Sequence, residues 1–337
     1  MRDFFDMGQL KSMNIFKTVC VFVFFYSSSA IAQEIYEGPI IDGHLHLFAK
    51  TDVNLVRKTF KENNVLKAVW FPRHFKSQVS KGISEEAADE FISANRDLGY
   101  FTVGLQRKLL SSLKQAPERW AKTDGKWKKF IKGARKKIRN GERDGLGELI
   151  VRHYSYNFGK GEYDYPIDSP LFTSLIRASD ELAVPLIVHA EGEDHVVSSL
   201  LEKLPKFQNA KLVWAHACGR SDPIKIREWI KSNSNLFCDL GNMTDTGNYG
   251  SLWPRAGSWT YQFEKNGKIL PEWKALVEDY PNRFYIGSDV NEEQGWGSQF
   301  KKSMWLKRIK RFRVLLGQLS PNAQEWLAWK TVESLYK

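Results

Sequence analysis

The stretch Ile40-Ile41-Asp42-Gly43-His44-Leu45-His46-Leu47-Phe48 is an apolar run that closes on two histidines one residue apart. Such a run reads as a β-strand, and side chains two apart on a strand face the same way. Asp42, His44 and His46 are therefore expected on one side of it. Two neutral imidazoles side by side make a ligand pair for zinc or a similar divalent cation, and a catalytic site draws further ligands from elsewhere while leaving a position open for water. An isolated pair also suits two buried, hydrogen-bonded histidines. The rest of the chain decides between these readings.

Seven further β-rich runs follow this one, at 65–71, 100–105, 145–151, 184–189, 211–216, 235–240 and 283–288, the first spanning 39–47. Most are continuously apolar, as strands covered on both faces are. Helical stretches with capping residues lie between them. Ser84 precedes E-E-A-A-D-E-F-I, Ser169-Pro170 opens L-F-T-S-L-I-R-A, and Asp222-Pro223 opens I-K-I-R-E-W-I. Eight strand–helix units predict an α/β fold of the (β/α)8 TIM-barrel type, with a doubly wound open sheet as the alternative. Two insertions interrupt the pattern. Residues 107–143, between strands three and four, are strongly basic and helical in character, with Trp120 and Trp127 among the lysines. They are expected to form a solvated amphipathic helix pair packed on the barrel, the alternative being a patch for a membrane surface or a nucleic acid. Residues 241–271 form a long loop after strand seven, rich in Gly, Asn, Trp and Tyr, of the kind that covers binding sites.

On this strand map the remaining candidates fall at strand ends. His189 closes strand five, His216 closes strand six, and Asp289 follows strand eight. Active sites of such barrels sit at the rim where the strands' C-terminal ends converge, so His44, His46, His189, His216 and Asp289 all aim at one bowl. That convergence favours the metal reading over five separate structural roles. The D-G-H-L-H run, the two later histidines and the G-S-D after strand eight resemble the amidohydrolase superfamily, and specifically its amidohydrolase-related branch of metal-dependent hydrolases and decarboxylases. The C-terminal L-G-Q-L-S-P and V-E-S-L-Y segments are similar to that branch too. The resemblance implies His44, His46, His189 and Asp289 as ligands, with His216 either holding a second ion or polarising the substrate.

Glu148 leaves the number of ions open. If it bridges, a second ion takes His189 and His216. The apolar run continues past it through Leu149-Ile150-Val151, which places it a layer below the rim, so one tightly held ion, with zinc the expected metal, is the expectation. A divalent ion lowers the pKa of its water from about 16 toward about 7 and polarises carbonyls. The implied reaction is hydrolysis of an ester, lactone or amide in a small polar or carboxylated compound. Asp289 takes the proton from water and His216 steadies charge on the carbonyl oxygen. A decarboxylase on the same scaffold is one alternative; a non-catalytic protein that binds an anionic partner through 107–143 is another. Arg73 and Arg152 are nominated to hold a substrate carboxylate, and Asp239 either to bond a ligand or to orient its loop.

Residues 17–29 form a basic-then-apolar segment ending ahead of Ala30-Ile31-Ala32, which reads as a signal peptide over 1–32 with an A-x-A cleavage site. Met13 is a second candidate start. The protein is thus expected to be exported, periplasmic or secreted, with residues 33–337 as the barrel domain and an uncleaved N-terminal anchor as the alternative. The 337 residues, 42% hydrophobic and 26% charged, have a folded protein's balance. The net charge of +11 suits anionic small molecules as substrates, and no nucleic-acid partner is expected. Beyond the signal only Cys218 and Cys238 remain. Each ends or nearly ends a strand, so inert packing is their expected role, although an oxidising compartment permits a disulfide.

Overall fold

In the computed structural model the described residues are 34–48, 51–72, 83–105, 125–153, 163–244, 261–290 and 304–337. They lie in the unit Gln33–Lys337. Eight parallel strands follow one another in sheet order: β1 (Ile40–Leu47), β2 (Val65–Pro72), β3 (Gly99–Val103), β4 (Gly145–Ile150), β5 (Pro185–His189), β6 (Lys211–Trp214), β7 (Leu236–Asp239) and β8 (Phe284–Tyr285). The ends meet through a parallel bridge between Leu45 and Val290, a bond from Gly43 N–H to the Ile286 carbonyl at 3.0 Å and one from Asp289 N–H to the His44 carbonyl at 2.7 Å. The sheet is a closing (β/α)8 barrel, and the open-sheet alternative is excluded.

Alternation along the strands fills two layers. Ile41, Val69, Tyr100, Ile187, Val213 and Tyr285 point into the barrel, whereas Ala68, Trp70, Leu186, Val188, Leu212 and Trp214 face the helices. Both layers are buried, which explains the unbroken apolar runs, and each large apolar side chain so buried contributes about 1.5–3 kcal/mol. The C-terminal helix Thr331–Tyr336 closes one end: Val332 and Leu335 join the interior cluster and Tyr336 stacks on Tyr100 at 5.0 Å between ring centroids. The site occupies the opposite end.

The capping residues act as their sequence implies. Ser84 Oγ accepts from Ala87 N–H, Ser169 Oγ from Phe172 N–H and Asp222 Oδ1 from Ile224 N–H. They start the helices Glu85–Ala94, Pro170–Leu182 and Pro223–Ser232. In the basic insertion the described part is the helix Gly125–Arg139. It buries Trp127, Ile131 and Ala134 at helical spacing and packs against Pro170–Leu182. Lys137 pairs with Asp89 at 2.8 Å and Arg135 with Glu181 at 3.0 Å, which fixes the helix to the barrel by its flanks. Trp120 and the rest of 106–124, like Arg73 and most of the loop after β7, lie outside the described residues. No helix among the described residues is long and apolar enough to cross a membrane.

Candidate metal centre

β1 brings in the two histidines, but the expected single face is broken. The pairing of β1 with β2 shifts register between Asp42 and Leu45, and Asp42 parts company with His44 and His46. Its buried carboxylate takes four hydrogen bonds: Oδ1 accepts from Ser288 N–H at 2.7 Å and His44 N–H at 3.2 Å, and Oδ2 from Ser288 Oγ at 2.6 Å and Trp305 Nε1 at 2.8 Å. Asp42 therefore ties β1 to the end of β8 instead of lining the bowl. Close strand approach makes this possible. A Cβ on Gly43 would lie 2.2 Å from Tyr285 Cδ2, and one on Gly287 would lie 2.6 Å from His44 Cβ.

Five elements bring the ligand-type atoms together: β1, β4, β5, the turn after β6 and the segment after β8. His44 Nε2 is 3.6 Å from Asp289 Oδ1 and 3.7 Å from Glu148 Oε2; His46 Nε2 is 3.1 Å and 3.9 Å from the same two oxygens. On the other side of Glu148, Oε1 lies 3.0 Å from His189 Nδ1 and 3.7 Å from His216 Nε2, and those two nitrogens are 2.9 Å apart. Glu148 is buried and belongs to both groups, His44–His46–Glu148 and Glu148–His189–His216. The expectation that it lies a layer too deep is thus corrected: the carboxylate reaches up between the two histidine pairs, one oxygen toward each.

This donor set fits a divalent cation. Two atoms each about 2.1 Å from one ion are roughly 3.0–3.4 Å apart at octahedral to tetrahedral angles, and the observed spacings bracket that range. His44 carries the other signature. Its Nδ1 lies 3.1 Å from Asp239 Oδ2, while its buried Nε2 has no hydrogen-bond partner among the described residues. A ligating histidine is held in this way, one nitrogen on a carboxylate and the other aimed at the ion.

Asp239, nominated either to bond a ligand or to orient its loop, bonds to protein groups through both oxygens. It is fully buried, and its second oxygen, Oδ1, accepts from His216 N–H at 3.1 Å and Gly241 N–H at 2.8 Å. Its carboxylate thus makes three contacts with the protein. Arg152 also has a protein partner, since its Nε donates to Glu193 Oε1 at 2.7 Å.

His216 reaches the site by an unexpected route. β6 stops at Trp214, two residues short of the expected end, and His216, Ala217, Cys218, Gly219 and Arg220 all have positive φ, between 51° and 72°. For L-residues this left-handed conformation costs roughly 1–2 kcal/mol each; only Gly219 takes it freely. Cys218 is not inertly packed: it forms a disulfide with Cys238 on β7, with the two Cα atoms 5.0 Å apart. Arg220 at the far end of the turn donates to both oxygens of Glu191, at 3.1 and 3.0 Å, and Glu191 Oε1 lies 3.5 Å from His189 Nε2. Sequence reading missed Arg220 and ranked the permitted disulfide behind packing, because nothing in H-A-C-G-R announces a left-handed turn or names its partners.

Electrostatics separate the histidines. Burial opposes charge on His189, but hydrogen bonds and negative charge from Glu148 and Glu191 prevail and push it up to about 9. His216 is driven down to about 4 by burial and by the charges of His189 and Arg220. His153, its ring 4.9 Å from that of His189, falls to about 3 by burial and the same neighbour. Burial raises the Glu191 carboxyl, yet Arg220 and His189 outweigh it and bring it to about 2.

No protein-family model matches the chain, and no curated protein does. Solved structures do resemble it. One from Agrobacterium tumefaciens, in its apo form, aligns with a TM-score of 0.50 at 12% identity, covering 90% of this chain and 97% of that one. The fold is the one they share. An amidohydrolase from Burkholderia multivorans with bound Zn aligns at a TM-score of 0.43 and 12% identity, over 88% and 99% of the two chains. A 2,6-dihydroxybenzoate decarboxylase complexed with 2,6-dihydroxybenzoate aligns at 0.48 and 9%, over 90% and 99%.

Proposed function

We propose that the protein is an exported, metal-dependent hydrolase of the amidohydrolase superfamily, acting on an ester, lactone or amide of a small polar or carboxylated compound. The observation that carries the reading is Glu148, whose two oxygens face two separate histidine pairs beside Asp289. We further propose two ions: one on His44, His46, Asp289 and Glu148 Oε2, the other on Glu148 Oε1, His189 and His216, the first set offering four donors and the second three. Bound there, a divalent ion, with zinc the expected one, supplies Lewis acidity and an acidified water.

The chain's own residues supply the rest. Asp289 is the part-exposed carboxylate of the set. Burial would raise its pKa, but His44 and the hydrogen bond with His46 hold it below the usual carboxylate range. It is therefore ionised at neutral pH, the form that can accept a proton at the mouth, and it binds that proton weakly enough to return it to the leaving group. Asp239 holds His44 with Nε2 turned inward, and the Gly241 carbonyl, 2.8 Å from His216 Nδ1, does the same for His216. The buried walls exclude water behind the ligands, so charge at the mouth is weakly screened. The Cys218–Cys238 disulfide supports the proposal that residues 1–32 direct export, since such bonds persist in oxidising compartments.

The test is metal analysis of the purified mature protein, removal of metal by a chelator, and reloading with zinc, followed by a screen of esters, lactones, amides and carboxylated aromatics. The expected result is about two ions per chain and acid release that disappears on stripping and returns on reloading. Released CO2 in place of hydrolysis assigns a decarboxylase instead. Turnover that survives complete stripping overturns the metal-dependent reading.

A further inference from the structure

We propose that Cys218, Cys238 and the Arg220–Glu191 pair are positioning residues that hold His216 in place. The disulfide and the ion pair clamp a left-handed turn from two sides, and the turn carries the imidazole to Glu148 and His189. The part of this concerning ion affinity rests on the two-ion reading above; the part concerning the turn itself does not.

His216, Ala217, Cys218 and Arg220 are L-residues held consecutively in a conformation that such residues visit singly. A run of this kind persists only where the surroundings over-determine it. Two neighbouring strand ends do so here. On the β7 side, Cys238 bonds to Cys218, the adjacent Asp239 accepts the His216 N–H, and Gly241 offers its carbonyl to His216 Nδ1. On the β5 side, Glu191 holds Arg220 through both oxygens, and Gly192 N–H donates to the Gly219 carbonyl at 3.0 Å. Inside the turn, Ser221 Oγ–H donates to the Cys218 carbonyl at 2.8 Å.

The positions of these tethers give the inference its functional content. Both cysteines of residues 33–337 are used in one bond. That bond is placed two residues from His216 and one residue from Asp239, which orients His44. Glu191 likewise stands two residues beyond His189. A general staple would suit any two adjacent strands, whereas this one joins the two segments that position His44 and His216. Reduction by a dithiol, which passes two electrons and two protons to the bond, would leave two thiols and release the turn on its β7 side.

The test uses the full mature chain. The double variant Cys218→Ala with Cys238→Ala and, separately, Arg220→Met and Arg220→Lys are compared with wild type in two measurements. The first is amide hydrogen exchange of the metal-free protein over residues 214–221. Exchange at least tenfold faster in the double variant and in Arg220→Met, with β1 to β5 unchanged and partial recovery in Arg220→Lys, is expected. The second is titration with Co2+ alone, read by its visible absorption. The weaker of two affinities should fall at least tenfold in the double variant, and removing the disulfide should cost nothing further in a His216→Ala background.

Unchanged protection of 214–221 in a folded variant overturns the proposal. So does a Co2+ affinity that stays at the wild-type value, or a loss that repeats in full on His216→Ala. Should the double-cysteine variant not fold, Arg220→Met and reduction of folded wild type by dithiothreitol decide by the same readouts. If wild type takes up no Co2+, the metal reading falls, and the exchange result alone still decides whether these residues hold the turn.

Discussion

Replacing Asp239 by Asn changes no volume and tests how His44 is held. Asp239 Oδ1 accepts two backbone N–H groups, from His216 and Gly241, so the single carbonyl oxygen of Asn must take that place. Its amide nitrogen then faces His44 Nδ1, which is 3.1 Å from Oδ2 in the native chain. Two N–H donors cannot share that contact. His44 must shift its proton to Nε2, the atom that faces Glu148 and Asp289, and a protonated nitrogen cannot ligate. The ion is then bound only by reversing the tautomer against an unfavourable donor–donor contact. Loss of such a supporting carboxylate costs about 10–100-fold in ion affinity, equivalent to about 1.4–2.7 kcal/mol, with a fall in apo-protein stability of about 1 kcal/mol as a charge-assisted hydrogen bond gives way to a neutral one. Competition between the apo protein and a chelator for Zn2+ measures the first quantity, and urea unfolding of the apo protein the second. An Asn variant that binds Zn2+ with wild-type affinity, or one altered only in KM, would refute the orienting role and restore Asp239 as a substrate contact.

Glu148→Gln should lower the ion content at both histidine pairs, because one side chain serves both; metal analysis after dialysis reads this, and a loss of only one ion counts against a shared carboxylate. His44→Ala with His46→Ala should abolish activity and remove the ion beside Asp289 while far-UV circular dichroism stays that of the folded barrel. Asp42→Ala strands four donors, from Ser288 (two), Trp305 and His44, and should destabilise the chain by on the order of 3–5 kcal/mol in urea. Gly43→Ala puts a methyl 2.2 Å from Tyr285 Cδ2 and should cost about 3 kcal/mol or more, because strand backbone on both sides prevents relaxation; an unchanged unfolding midpoint would contradict this.

The local chemistry of the sequence settled a good deal. Unbroken apolar runs mark strands covered on both faces, Ser84, Ser169 and Asp222 mark helix starts, and a barrel follows from eight such units because a parallel strand needs a crossover to reach its neighbour. The rule that strand ends converge then sufficed to bring His44, His46, His189, His216 and Asp289 into one place, since backbone direction alone carries them there. Tertiary structure decided everything that depends on register and on which atom meets which. The β1 register shift took Asp42 away from the histidines. Glu148 rose between two histidine pairs where the run of Leu149, Ile150 and Val151 had suggested a deeper seat. Asp239 turned to the protein, and His216 came to the site on a left-handed turn bound to Cys238 and, through Arg220, to Glu191. Side-chain type is written residue by residue, but a hydrogen-bond partner two hundred positions away is fixed only when the sheet closes, and closure assigned each carboxylate its task.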